Sequence, residues 1–306
     1  MELPLTMTES PVPIRVPEPS PAAQAPSVAT IDVLTEFVER HERLFVLTGA
    51  GVSVASGIPG YRDLNGDWMR AQPIQWQAFR DSEEARRRYW ARSMVGWPMV
   101  AGAQPNAAHR ALAQLGIAGR IARIVTQNVD GLHQRAGSAN VVELHGSIDA
   151  VICLDCGARH SRAAIQTQLL SNNPALADVS AAVSADGDAH LEWDALDAFR
   201  VPVCPACGGT LKPDVVFFGE NVPRERVAAA AQALEQADAM LVVGSSLMVF
   251  SGYRFCLWAE RAGTPIAAIN IGLTRADALF SLKVEAACGD ALTAVAARIA
   301  PSVSYG

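Results

Sequence analysis

The stretch GAGVSVASGIPGYR, residues 49–62, follows directly on RLFVLT, an apolar run ending at Thr48 with the length and composition of a buried strand. Gly49 and Gly51 supply G-x-G at the strand end, where a glycine turn lets backbone amides approach a phosphate at a helix start. The third glycine of G-x-G-x-x-G is missing, because Val54 occupies its place. Two readings stay open from these residues alone: a dinucleotide loop of unusual form, or an ordinary glycine turn. The missing glycine weighs against a hydride-transferring dehydrogenase.

Working outward, further strand-like runs cover 123–127, 215–218, 240–244 and 266–271. They alternate with alanine-rich helical segments, among them 107–115, 224–237 and 291–300. Short apolar strands separated by helices predict a doubly wound, Rossmann-like parallel α/β sheet covered on both faces. Two stretches interrupt the alternation, a helical one at about 70–104 and a cysteine-bearing one at 150–210. Strands resume after each, so both read as insertions, and residues 29–149 with 211–306 form the dinucleotide-binding domain.

Half of the 306 residues are apolar, enough for a large core and a smaller satellite, which excludes a disordered or fibrous chain. Residues 1–28 hold seven of the 18 prolines and one basic residue, Arg15, and read as a disordered tail with neither a secretory nor a mitochondrial signal. The apolar stretch at 240–250 is too short to span a bilayer. A net charge of -6 gives no general reason to bind nucleic acid or an anionic membrane, and the chain is expected in the cytoplasm. Six of the acidic residues, Asp178, Asp186, Asp188, Glu192, Asp194 and Asp197, crowd the cysteine-bearing stretch, where phosphate would be repelled.

Four of the six cysteines form two C-x-x-C pairs, Cys153 with Cys156 and Cys204 with Cys207. In a reducing compartment four thiolates in two knuckles are the ligand set of a closed tetrahedral zinc site, without an open position for catalysis. The stretch between the pairs exceeds the roughly 15 to 20 residues of the usual ribbon, and a redox reading of either pair is the weaker alternative.

TQNVDGLH, residues 126–133, sits at a strand end and offers Gln127, Asn128 and Asp130 to a carboxamide or a ribose, or else to a helix cap. ELHGS, residues 143–147, presents His145, a candidate general base or a hydrogen-bonded structural histidine. GSSLMV from Gly244 and NIG from Asn270 bring small and polar residues, Ser245, Ser246, Ile271 and Gly272 among them, to the same crevice. Cys288-Gly289-Asp290 is expected to close the last strand.

Taken in order with KPDVVFFGE, residues 212–220, these motifs resemble the sirtuins, the family of NAD-dependent protein-lysine deacylases, from about residue 32 to the last helix. RYWARSMVGWP and the long gap between the cysteine pairs look like the class II branch that includes mitochondrial sirtuin 4. The resemblance implies NAD as a consumed co-substrate and one structural zinc. It assigns Gly49, Ala50 and Gly51 to the diphosphate and Gly244, Ser245 and Asn270, with Cys288, to the adenosine half; Ser246, Ile271 and Gly272 complete these strand-end motifs. Ser53, Ile58, Asn128 and Asp130 match the nicotinamide pocket, Gln127 the nicotinamide ribose, and His145 the general base. Arg62 matches the residue that orders the loop on the cofactor, and Tyr61 stands where many sirtuins have phenylalanine, which bears on how water is kept from the cleaved ribose.

The implied reaction begins when the acyl oxygen of a modified lysine attacks the ribose carbon bearing nicotinamide. Water completes the transfer of the acyl group to ADP-ribose, and the products are free lysine, nicotinamide and O-acyl-ADP-ribose. The acyl-lysine peptide or protein would lie as an added strand between 215–220 and 246–250, so Val215, Phe217, Phe218, Gly219, Leu247 and Met248 are substrate candidates. Tyr89 and Arg92 form Y-x-x-R on one helix face, as in sirtuin 5, where a similar pair binds carboxylated acyl groups; the alternative is a surface arginine in an arginine-rich helix. A mono-ADP-ribosyltransferase using the same pocket is the nearest competing function. A zinc-ribbon module that senses NAD is a more distant one.

Overall fold

Leu44, Phe45, Val46, Leu47 and Thr48 are all buried, which a strand achieves only when both of its faces are covered. The computed structural model describes residues 29–69, 73–177, 179 and 198–300. The expected disordered tail at 1–28 and the six acidic residues between the cysteine pairs lie outside the described residues. The chain begins with α1 (Ile31–Arg40), β1 (Leu44–Thr48), α2 (Trp76–Asp81), α3 (Glu83–Gly102) and α4 (Ala107–Ile117). It continues through β2 (Ile121–Thr126), α5 (Leu132–Arg135), β3 (Val141–Glu143), β4 (Gly146–Cys153), β5 (Arg159–Ser161) and α6 (Arg162–Asn172). Then come β6 (Leu211–Val215), α7 (Arg224–Glu235), β7 (Ala239–Val243), α8 (Phe250–Ala262), β8 (Ile266–Ile269), β9 (Leu282–Val284) and α9 (Cys288–Ile299).

Six strands form one parallel sheet in the order β3-β2-β1-β7-β8-β9. Side chains alternate across it as the strand period of two requires. Leu44 and Val46 pack with Leu34, Leu112 and Leu292 of α1, α4 and α9, while Phe45 and Leu47 pack with Leu234 and Phe255 of α7 and α8. Each fully buried Leu or Phe contributes about 1.5–3 kcal/mol. The strand order reverses between β1 and β7, whose carboxyl ends lie side by side, the place where doubly wound sheets take their ligands.

A second, antiparallel sheet has the order β5-β4-β6. The run at 215–218, expected in the parallel sheet, belongs elsewhere: the strand is β6, and it pairs with β4. Pro213 lacks an N–H and is tolerated because β6 is an edge strand. Phe217 owes its burial to an aromatic cluster, 5.1 Å from the ring of Phe79 and 5.2 Å from that of Tyr89. The two interruptions share one satellite core, in which Phe79, Tyr89, Trp90 and Met94 of the helical segment pack on Val151, Ile165, Leu169 and Leu211. Arg162, fully buried, clamps them together by donating to Gln166 Oε1 and to the carbonyl of Ser93. Among the described residues no helix is long and apolar enough to cross a membrane.

β3 and β9 are three residues each and escape a reading that needs several alternations. The sequence Cys288-Gly289-Asp290 opens α9 rather than closing the last strand, which ends at Val284. Under the sheet, His109 and His133 face each other with ring centroids 4.9 Å apart, and His133 Nε2 is 2.9 Å from Thr48 Oγ1. Burial pushes their pKa values down to about 4 and about 3. Both lie below the ordinary value near 6.5, so the unfolded chain binds more protons between those limits, and stability falls as pH drops below about 6.5. Urea titrations from pH 7 to pH 5 should show this loss, and His133→Asn should reduce its slope by about one proton; an unchanged slope would refute the assignment.

Candidate active site

The turns after β1 and β7 are in backbone contact. Gly49 N donates to Val243 O at 3.1 Å and Gly51 N to Gly244 O at 2.8 Å. A Cβ on Gly51 would stand 2.8 Å from Gly244 O, and one on Gly244, whose φ is +59°, would stand 2.5 Å from Val52 N. Neither position admits a side chain without moving the other turn. Above this contact opens a cleft of about 460 Å³, into which Gly49, Ala50, Gly51, Gly244, Ser245 and Ser246 all face.

Beside the glycines lies a buried polar set. Asn128 Nδ2 donates to Gly49 O at 3.1 Å and to Ser53 Oγ at 3.0 Å, and Ser53 Oγ donates to Asp130 Oδ2 at 2.7 Å. Asp130 Oδ1 accepts from Leu132 N in a turn just ahead of α5, whose N-cap position is Gly131, and the carboxylate also lines the cleft. Ile58, nearly fully buried, closes the apolar side. A pocket of amide, hydroxyl and carboxylate groups against an isoleucine suits a neutral carboxamide ring.

His145 stands in the turn between β3 and β4, half-buried at the cleft wall. Its Nδ1 is 2.8 Å from the carbonyl of Gln127, which can only accept, so Nδ1 carries the proton. Nε2 is then the acceptor and lies 2.7 Å from the hydroxyl of Ser251. Desolvation by burial, aided by the cations Arg226 and Arg254 against the opposing Gln127 hydrogen bond, lowers its pKa to about 4. At neutral pH the ring has a lone pair on Nε2, the state a general base needs. Gln127 also accepts from Ser245 Oγ through Oε1 at 2.8 Å, and a Cβ on Gly252 would meet its Nε2 at 2.6 Å.

The loop after residue 60 folds over the cleft. Arg62 Nη1 donates to Gly66 O at 2.7 Å and the guanidinium lies 4.0 Å over the Trp68 ring. Tyr61 and Trp68 both meet Phe218 edge-on, at 6.4 and 5.4 Å. Leu273 N donates to Leu64 O at 2.8 Å, fastening the loop to the turn after β8. Across from it Val215, Phe217, Phe218 and Gly219 face Leu247 and Met248, with Leu247 held at φ +57°.

Asn270 and Ile271 also line the cleft, whereas Gly272 and Cys288 stand behind its wall. Gly272 turns towards Leu64, and Cys288 packs on the core, where burial raises its thiol pKa to about 11. The Tyr89 and Arg92 pair divides: Tyr89 reaches the cleft, and Arg92 is not among its lining residues. Trp68, Ser251, Gly252 and Arg254 had no signal in the sequence, since each is placed by the packing of its loop or helix against a distant residue.

In the small sheet the sulfur atoms of Cys153, Cys156, Cys204 and Cys207 lie within 4.8 Å of one another. Two of the separations are 3.6 Å and 3.8 Å. A tetrahedron of zinc–sulfur bonds of about 2.3 Å has edges of about 3.8 Å, so the four thiolates fit a structural zinc.

A model described as the Sir2 family matches residues 49–251. An "NAD-dependent protein deacetylase" of Xanthomonas campestris pv. campestris strain 8004 is 60% identical over 259 residues, covering 85% of this chain and 88% of the relative. The "NAD-dependent protein deacetylase 2" of Bradyrhizobium diazoefficiens is 56% identical over 259 residues, covering 85% and 95%. A solved complex described as Sir2, p53 peptide and NAD+ aligns with TM-score 0.71 at 28% identity, over 89% of this chain and 97% of that one. A Sir2 homolog–NAD complex aligns with TM-score 0.69 at 30% identity, over 90% and 96%. With the fold, the crevice and the four-cysteine cluster agreeing with these matches, the chain belongs to the Sir2 family.

Proposed function

We propose that this chain is an NAD-dependent protein-lysine deacetylase that transfers the acyl group from lysine to ADP-ribose, releasing nicotinamide and O-acyl-ADP-ribose. The neutral His145 at the cleft wall, with Nδ1–H fixed by Gln127, is the observation that carries the reading. NAD supplies an electrophilic ribose carbon once nicotinamide departs. Gly49, Ala50 and Gly51 present backbone to the diphosphate, and Gly244, Ser245, Ser246, Asn270 and Ile271 hold the adenosine half, with Gly272 and Cys288 supporting that wall from behind. Ser53, Ile58, Asn128 and Asp130 hold the carboxamide, and Gln127 the adjoining ribose. Tyr61 and Arg62 bring the loop down over that end and exclude water. His145 Nε2 accepts a proton from a ribose hydroxyl after Ser251 yields its hydrogen bond.

An acyl-lysine peptide adds as a strand between 215–220 and 246–250, its main chain paired on both sides and its lysine directed past Phe217 and Leu247. The reading divides the chain into an NAD-binding unit, 29–149 and 211–306, and a zinc-binding unit, 150–210, with β4 crossing one boundary and β6, its partner in the small sheet, beginning at the other. It places the protein in the cytoplasm, with acyl-lysine proteins rather than nucleic acid or membrane as partners. The RYWARSMVGWP motif and the long spacing between cysteine pairs support the class II branch, and a family tree joining the chain to another branch would remove that assignment. Tyr89 lines the acyl end of the cleft, and Arg92 lies one helical turn further along α3.

Acetyl-peptide with NAD should give nicotinamide and O-acetyl-ADP-ribose by mass spectrometry, with turnover falling off below about pH 4 as His145 protonates. His145→Ala should lower turnover by roughly 10²–10⁴-fold while retaining bound zinc. ADP-ribose left on protein, with no O-acetyl product, would favour the transferase instead. Cys153→Ala should lose the zinc and lower the melting temperature, which metal analysis and thermal unfolding would register together. If Arg92→Ala leaves the relative rates on acetyl, glutaryl and succinyl peptides unchanged, Arg92 has no part in acyl selection.

A further inference from the structure

Arg254 lies on α8, one turn beyond Ser251 and on the same face as Phe250, and it lines the cleft opposite Asn221 and Val222. Its guanidinium carbon sits 5.0 Å over the ring of Phe250, which is 41% exposed at the cleft mouth. Its Nε is buried and has no hydrogen-bond partner among the described residues. Burial lowers its pKa, and no neighbouring carboxylate raises it again. The other arginine of the cleft, Arg62, is occupied by Gly66 O and the Trp68 face. Glu220, the acidic residue on the facing wall, is committed to Lys212 at 2.9 Å and to Phe217 N at 2.8 Å. A partly desolvated guanidinium aimed into a binding cleft with its counter-charge missing is a site for an anion that arrives with the ligand.

We propose that Arg254 is a specificity subsite that binds the carboxylate of an aspartate or glutamate flanking the acyl-lysine in the substrate peptide. The inference rests on the deacetylase reading for the identity of that peptide. Placement selects the ligand. The diphosphate belongs at Gly49 to Gly51, and Tyr89 and Phe217, with rings 5.2 Å apart, mark the acyl end. The slot between 215–220 and 246–250 runs on directly into Phe250 and Arg254, so a residue near the lysine in the added strand is brought to the guanidinium. Phe250 lies under the guanidinium carbon at 5.0 Å, a cation–π contact that is compatible with a bidentate carboxylate pair.

The test uses acetyl-lysine peptides alike except for Glu or Gln at each of the two positions before and after the lysine. Binding by fluorescence anisotropy and nicotinamide release are measured for wild type, Arg254→Gln and Arg254→Lys. The expected result is about tenfold tighter binding of a Glu peptide over its Gln partner at one position. That ratio should fall to about one in Arg254→Gln, be partly kept in Arg254→Lys, and shrink with added salt. Equal binding of Glu and Gln peptides at all four positions by wild type overturns the proposal, as does a ratio that survives in Arg254→Gln. A variant that instead loses a preference for succinyl over acetyl on the Gln peptide also overturns it, since the carboxylate would then come from the acyl chain. Anisotropy needs no turnover, so a wild type that selects Glu peptides without releasing nicotinamide would count against the deacetylase reading and for the subsite.

Discussion

The contact between the turns after β1 and β7 is the constraint on which the site depends. Gly51 N bonds to Gly244 O, and the space on either side is too small for a Cβ. Two parallel strands at the reversal of strand order are thereby brought to a common floor, with backbone in place of side chains at the surface. Everything that lines the crevice is hung from that floor. Asn128 reaches Gly49 O from the turn after β2, Ser245 follows Gly244 directly, and the short helix after Gly49 presents Ser53 to Asp130. A side chain at either glycine would separate the turns and with them the groups they carry.

Gln127 joins the two sides of that floor. Its carbonyl fixes the His145 tautomer, while its side-chain oxygen accepts from Ser245 of the opposite turn. A histidine oriented by a carboxylate would have its pKa raised; one oriented by a neutral carbonyl and buried has it lowered. Orientation is obtained here without protonating Nε2, so the imidazole is neutral before any ligand arrives. Ser251 completes the arrangement from α8 and occupies Nε2 meanwhile.

The satellite core explains why two separate insertions serve one cleft. α3 packs on β4, α6 and β6 around Trp90 and Leu211, and Trp90 Nε1 donates to Leu211 O at 3.3 Å. The segment after β6 inherits this rigidity. Lys212, nearly fully buried, bonds to Glu220 and lies over the Phe217 ring, holding the 215–220 wall in place. The four cysteines fasten the far end of the same sheet.

The sequence by itself determined the parallel sheet, because buried strands such as LFVLT and AMLVV are almost wholly apolar and their helices carry one apolar face. It determined the four-cysteine cluster, because ligand type and spacing are local. It also marked the strand-end motifs that converge on the crevice. Only the tertiary structure decided that Val215 and Phe217 belong to the satellite rather than the main sheet, and that Tyr89 reaches the cleft while Arg92 does not line it. The same holds for Ser251 meeting His145, 106 residues away in sequence. These are contacts between residues far apart in the chain, and no periodicity encodes them: apolarity reports that a side chain is buried, and packing alone selects against what.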